Sequence, residues 1–263
     1  MPNITDSFHT HLEASIAISE TQKNAAFKVR YNVYCVERGY EDQTKFPDRM
    51  ERDEFDNESV HAVVRHRKSK STVGVVRLVL PNRSNPDRLF PIERYFGSQF
   101  NAAVLNNFCY SRNNIAEVSR FAVSKQTLLQ IQKQLAGAAE DRNFDLNGKD
   151  PTLLLPHISL GLIAMLFALS DEHGIDYLYA AMEPSLSRLL TRLGIDFTPI
   201  GPIMNYHGER QPMIARVDDL LDNIAHTRQD FFKLITDVSG ISAHRHQQTQ
   251  EKSDAKSSNV VAV

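Results

Sequence analysis

The feature that most restricts how this chain can fold is an arginine in the wrong company. The run "VGVVRLVLP", Val73 to Pro81, is strand-like and almost wholly apolar, yet Arg77 sits in its middle. A second run, "AEVSRFAVS" from Ala116 to Ser124, repeats the conflict with Glu117 and Arg120. Charges are costly to bury unpaired, so charges inside such strands need partners. Carboxylates are at hand: "MERDEFDNESVH", Met50 to His61, places Glu51, Asp53, Glu54 and Asp56 within six positions and then runs directly into the strand-like "VHAVV". The economical arrangement is one cluster at one mouth of a sheet, in which Arg30, Arg77 and Arg120 neutralise several of these carboxylates. The alternative is that each charge faces solvent or forms a salt bridge that fixes the loop to the sheet. Clusters of buried ionisable groups are frequent at functional sites, where their pKa values are tuned.

Composition narrows the function classes. With 263 residues, 41% hydrophobic and 24% charged, the chain is long enough for one domain of ordinary upper size, or for two. A net charge of -2 supplies no large basic field for nucleic acid. The short basic run "RHRKSK" lies between two strand-like segments and reads as a hairpin turn. Two cysteines, Cys35 and Cys109, suggest neither a disulfide framework nor a zinc knuckle, so no metal is expected and a reducing cytoplasm is. The start lacks the pattern of a signal peptide. The longest apolar stretch, Leu153 to Leu169, contains Pro156, His157 and Ser159 and falls short of the roughly 20 residues of a membrane span. It reads as a buried helix, and no transmembrane segment is expected.

In chain order, residues 1–20 read as a polar lead. "TQKNAAFKVRYNVYCVERGY" has helical spacing at Ala26, Val29, Val33 and Val36, with Gly39 as the stop. "SVHAVVRH" and "VGVVRLVLP" make an antiparallel pair, "FPIERYFG" a short helix, and "AEVSRFAVS" a third strand. Residues 125–150 begin as an amphipathic helix and end as a polar loop, an excursion from the core. Helix "HISLGLIAMLFALSDEHG", strand "DYLYAAM", helix "PSLSRLLTRLG" and strand "DFTPIGPI" follow. Pro184 and Gly194 punctuate the second of these helices. This predicts an α/β (α+β) domain over 21–238, a central sheet with helices on both faces, and a disordered polar tail over 239–263.

No GxGxxG, GxxxxGK[ST], GxSxG or HExxH motif is present. Four other motifs are: "FKVRYNVYCVERGY", then Glu51-x-Asp53-x-x-Asp56, then Gly74-x-x-Arg77-Leu78, then Glu117-Val118-Ser119-Arg120-Phe121-Ala122-Val123. In order and approximate spacing they resemble the acyl-homoserine lactone (autoinducer) synthases. "RYNVYCVERGYE" and "MEPSLSRLLTRLGIDFTPIGPIMNYHGERQP" resemble more closely the PEP-CTERM/exosortase-associated acyltransferases, relatives of the N-acyl amino acid synthases. The chain has no tryptophan, which the autoinducer synthases usually carry after the first helix.

The resemblance, over about residues 21–220, implies a GNAT fold: a splayed, mostly antiparallel sheet that grips a pantetheine arm between diverging strands. It implies acyl transfer to a small-molecule amine. Glu117 is then the first choice of general base and Glu51 the second. Arg30, Asp53, Asp56, Arg77 and Arg120 shape the acceptor site beside Ser119 and Phe121, and backbone amides near Ala122 and Val123 hold the pantetheine or polarise the thioester carbonyl. The GNAT pyrophosphate loop, Q/R-x-x-G-x-G/A, is missing before the helix at His157, which makes acyl carrier protein the expected donor and partner. Acyl-CoA stays open, and no tightly bound cofactor is implied. Weaker candidates are Tyr206 and Arg210 for acceptor contact, the helix "ISLGLIAMLFAL" for an acyl pocket, and Arg38, Arg112 or Arg210 for an acceptor carboxylate. The competing readings are an autoinducer synthase using S-adenosylmethionine and a non-catalytic acyl-carrier or lipid-binding module.

Overall fold

The segment ahead of residue 20, expected to be a polar lead, belongs to the domain. In the computed structural model, which describes residues 3–137 and 155–241, it forms helix α1 (Ile4–His11) and strand β1 (Leu12–Ile16). Asn3 caps α1 by accepting a hydrogen bond from the Thr5 amide. Phe8 and Leu12 are fully buried, so two apolar residues in a polar stretch suffice to dock it.

Helix α2 (Glu20–Tyr31) starts at a reciprocal capping box between Ser19 and Gln22. It continues into one π-helical turn, Asn32–Glu37. Ala26, Val29 and Val33 are buried as their spacing predicts, but Val36 is exposed. The extra residue of a π turn rotates the stripe and turns Val36 outward. Gly39 ends the segment at φ +63°.

Strands β2 (Ser59–His66) and β3 (Thr72–Val79) form the expected antiparallel pair. Helix α3 (Pro91–Phe96) and the one-turn helix α4 (Ala102–Leu105) lead to β4 (Ile115–Val123). Helix α5 (Lys125–Gly137) is not an excursion at its start, because Leu128 and Ile131 are buried in the main core. The rest of that expectation, and the tail beyond residue 241, lie outside the described residues.

Helix α6 (Leu155–His173) and strand β5 (Tyr177–Met182) follow, then α7 (Pro184–Arg192). The expected strand "DFTPIGPI" shrinks to β6 (Thr198–Pro199), since proline cannot donate to a ladder. Strands β7 (Met204–Asn205) and β8 (Glu209–Arg216) and helices α8 (Val217–Thr227) and α9 (Gln229–Ser239) complete the described chain. The sequence reading assigned no element to β8, α8 or α9.

The sheet order is β1-β2-β3-β4-β5-β8-β6, with β7 beside β8. Its pairs are antiparallel except β4 with β5. That parallel pair joins only Ile115–Val118 to Tyr177–Ala180. Beyond Val118 the two strands part, and β4 runs on to Val123 with that edge open. Helix α6 covers one face, where Ala62, Val64, Val76, Leu78 and Ala116 meet it. Helices α2 and α3 share the other face. α6 is long and apolar enough to cross a membrane by length and composition, but most of it is buried against the sheet and its neighbouring helices.

Gly161 lets α6 lie against α1: a Cβ there would stand 2.6 Å from the Phe8 ring. Phe8→Ala empties this contact and is expected to lower stability by about 3–5 kcal/mol. Urea unfolding with an unchanged m-value measures it. A loss below about 1 kcal/mol would mean that the N-terminal segment is not part of the cooperative fold.

Candidate active site

Strand alternation puts Ile115, Glu117 and Ser119 of β4 on the sheet face that carries Arg77 and Val79 of β3, where Arg77 pairs with Ser119 and Val79 with Glu117. Arg120 should then point the other way. It does not, because the β3–β4 register slips by one residue between Val75 and Arg77 and Arg120 adopts φ +51°. The resulting bulge aims consecutive residues, Ser119 and Arg120, at one site.

The site is a closed charge network. Arg30, at 0% exposure, donates from Nε to Glu51 at 2.5 Å and from both terminal nitrogens to Asp56 at 2.6 and 3.1 Å. Arg77 donates to Asp53 at 2.5 Å, to Asp56 at 2.8 Å and to Ser119 Oγ at 2.9 Å. Arg120 donates from Nη2 to Glu51 and to Asp53, both at 2.9 Å, and lies over the Tyr34 ring. Three guanidinium groups face three carboxylates, so the expected cluster forms and the solvent-facing alternative for these arginines does not hold. A capping box between Asp53 and Asp56 folds the acidic loop into the short helix Glu54–Glu58, which presents these side chains. His61, buried on β2, brings Nε2 within 3.1 Å of Asp56. Nothing in the sequence singled it out, because its signal is only its inward parity on a strand.

Burial opposes charge throughout, and the partners decide each outcome. For Glu51, Arg120 and Arg30 outweigh burial and hold the carboxyl at about 2. For Asp56, His61, Arg30 and Arg77 do the same and keep it below the usual range. Burial lowers the pKa of His61, so its ring is neutral. Glu117 is the exception. At 4% exposure it makes no ion pair with the arginines, accepts a hydrogen bond from the Ile92 amide at 2.8 Å, and is pushed by burial up to about 8.

Two cavities meet here. A polar one of about 360 Å³ is lined by Asp53, Arg77, Glu117, Tyr206, His207 and Arg210 among others. A larger one of about 500 Å³ lies in the wedge between β4 and β5, walled by Phe121 and Val123 of β4, Ile163 and Phe167 of α6, and Leu186 and Leu190 of α7. Tyr34, Val118, Ser119, Arg120, Ala181 and Arg210 line both. The structure thus brings together Arg30, Glu51, Asp53, Asp56, Arg77, Glu117, Ser119 and Arg120. Phe121 and Val123 fall on the apolar side, and Ala122 is buried against the α2 side of the sheet. Arg112 lies elsewhere, paired with Glu93 and stacked on Phe90. Among the described residues no group of three or more His, Cys, Asp or Glu is arranged to hold a metal ion.

Residues 29–128 match the family described as the acetyltransferase (GNAT) domain. Over residues 29–128 the chain carries a GNAT acetyltransferase domain. No curated protein sequence matches it significantly. Among solved structures, FeeM, an N-acyl amino acid synthase from uncultured soil microbes, is similar with a TM-score of 0.54 and 16% identity over 83% of this chain and 97% of that one. TofI, in a ternary complex with an inhibitor and MTA, gives 0.53 and 17% over 81% and 96%. BjaI, a CoA-dependent acyl-homoserine lactone synthase, gives 0.52 and 19% over 88% and 90%. The fold is the one that the motifs implied.

Removing one partner from a buried ion network leaves an uncompensated charge. Asp56→Asn is therefore expected to cost about 3–5 kcal/mol, measured by denaturant unfolding, and a loss under about 1 kcal/mol would show that the network is not tightly coupled. The pH dependence separates the two glutamates. Glu51 ionises more readily folded than unfolded, so its contribution is present above pH 4.5 and is lost as pH falls toward about 2. Glu117 binds its proton more tightly when folded, so stability falls as pH rises from 4.5 to about 8. Glu117→Gln is expected to flatten the profile in that second window; an unchanged slope there would refute the shift.

Proposed function

We propose that this GNAT protein is an N-acyltransferase that moves a fatty acyl group from a pantetheine thioester, on acyl carrier protein or coenzyme A, to the amine of an amino acid or related small metabolite. The observation that carries this reading is the shared wall of the two cavities. An apolar chamber suited to an acyl chain and a polar chamber suited to a charged acceptor touch along β4 at Val118–Arg120, and Glu117 opens on the polar side. The likeness to FeeM, an N-acyl amino acid synthase, supports it.

The chemistry follows from the charges. An α-amine arrives as ammonium, with a pKa near 8 in a peptide-like setting. It must lose a proton before its lone pair can attack a thioester. A base matched to that pKa is most effective, and Glu117, with a pKa of about 8, is matched. Glu51 is not, since two arginines occupy its carboxylate; its role is to hold Arg30 and Arg120 in place. Attack on the carbonyl carbon gives a tetrahedral oxyanion, for which the amides on the open edge of β4 beyond Val118 are the available donors. Collapse breaks the carbon–sulfur bond and expels the thiolate; of the two protons the nitrogen sheds in becoming an amide, one returns from Glu117 to the thiolate and the other passes to solvent.

The acceptor enters beside Asp53, the most exposed carboxylate of the network, and beneath the β7–β8 turn that carries Tyr206 and His207. A second reading, S-adenosylmethionine as acceptor with lactone release, is favoured by the likeness to TofI bound to MTA and to BjaI. Release of methylthioadenosine separates the two.

The test is untargeted mass spectrometry of lipid extracts from cells expressing the wild type and Glu117→Gln. A new N-acyl amine that disappears in the variant is expected; a homoserine lactone would move the chain to the second reading, and persistence of product in the variant would remove Glu117 as base. With the product known, kcat/KM should rise with pH to a plateau above about 8, and Glu117→Gln should lose about 10²–10⁴ of it.

A further inference from the structure

Helix α5 starts directly where β4 ends, and its first amides are already occupied. Ser124 Oγ accepts from the Thr127 amide at 3.1 Å. Glu37, the last residue of the π turn, reaches across so that Oε1 accepts from the Gln126 amide at 3.0 Å and Oε2 from the Lys125 amide at 3.3 Å. Ser124 Oγ donates to the same carboxylate at 2.7 Å, and the Ser124 amide donates to the Val73 carbonyl at 3.0 Å. The four amides that a helix leaves open at its start are thus all satisfied from within the chain.

The position of this helix start gives the arrangement its meaning. Val123 and Lys125 line the apolar cavity, so the first turn of α5 stands at its rim. A donor whose acyl chain fills the wedge and whose arm follows the open edge of β4 leaves past the carboxyl end of the strand, and a helix N-terminus there is the natural seat for a phosphate group. In this chain the seat holds a carboxylate. A phosphate at that point would meet a like charge and find no amide to receive it.

We propose that Glu37 is a donor-specificity residue: its carboxylate fills the N-terminus of α5, so that the phosphate end of the donor gains no binding there and recognition falls to the acyl chain, the pantetheine arm and whatever carries it. This rests on the acyl-transfer reading above. It favours a donor presented by a carrier protein, which brings its own contact surface, over one that depends on its nucleotide.

The test is calorimetric binding of two inert thioethers, hexadecyl-CoA and hexadecyl-pantetheine, to the wild type, Glu37→Ala and Glu37→Gln. The wild type is expected to bind the two within about threefold of each other. Glu37→Ala frees the amides and removes the charge, and should bind the CoA thioether about tenfold more tightly while the pantetheine thioether is unchanged. Glu37→Gln keeps an acceptor for the helix, and so the fold, and should show a smaller gain in the same direction; it decides the matter if the alanine variant does not fold. A wild type that already prefers the CoA thioether by about tenfold or more, or variants that shift both thioethers equally, would overturn the proposal. Binding of neither thioether by the folded wild type would overturn the acyl-donor reading and this proposal with it.

Discussion

Taking three guanidinium groups out of water is the constraint on which the rest of the structure depends. Arg30 and Arg77 are almost wholly buried, and the penalty for each is several kcal/mol unless every donor finds an acceptor. No single element of the fold can supply those acceptors. Arg30 comes from α2, Arg77 from β3, Arg120 from the bulge in β4, and the carboxylates from the loop ahead of β2. Each arginine bonds to more than one acceptor, so a shift of any of these elements leaves several groups unpaired at once. The network therefore fixes where α2 lies on the sheet and how the acidic loop crosses the mouth of the polar cavity.

The same network explains how neighbouring glutamates come to behave in opposite ways. Glu51 and Glu117 are both buried carboxyls on one side of the sheet. Glu51 lies between two guanidinium groups and stays ionised. Glu117 lies two residues further down β4 from Ser119, against α3, where the Ile92 amide is its hydrogen-bond donor and the arginines are spent on other partners. Because the cluster is balanced within itself, it has little charge left to pull the Glu117 proton off. Environment alone, acting on two side chains of the same kind, keeps one carboxyl ionised and lets the other hold its proton.

How much of this was legible in the sequence depends on the range of the interaction involved. The conflict between Arg77 or Arg120 and their apolar strands is local, and it announced both the strands and the need for a cluster. The bulge at Arg120 was not legible, because its cause is a mismatch of register with β3 that no residue type in "EVSRFAV" betrays. Helices α8 and α9 carry regular apolar stripes, at Leu220, Leu221 and Ile224 and at Phe231, Leu234 and Ile235, a local signal of helical period that the sequence does contain. Phe8 and Leu12 illustrate the opposite limit: two apolar side chains amid polar ones carry almost no pattern, and only tertiary burial gives them weight.

The wedge between β4 and β5 follows from one topological fact. A single parallel pair in an otherwise antiparallel sheet brings in β5 through a crossover that includes α6, and the pairing lasts for only four residues before the strands diverge. The gap has to be floored and roofed by something apolar, and α6 and α7 serve. Yet α7 buries none of its residues, and Leu189 on its apolar side is 52% exposed. A helix that fails to bury its stripe is a poor way to close a core, and a reasonable way to leave room for a chain that arrives from outside. The least well packed part of the fold thus lies next to its most tightly bonded part, with β4 as the wall between them. That contrast sets a loosely packed apolar chamber and a rigid, charge-balanced polar one on the two sides of a single strand.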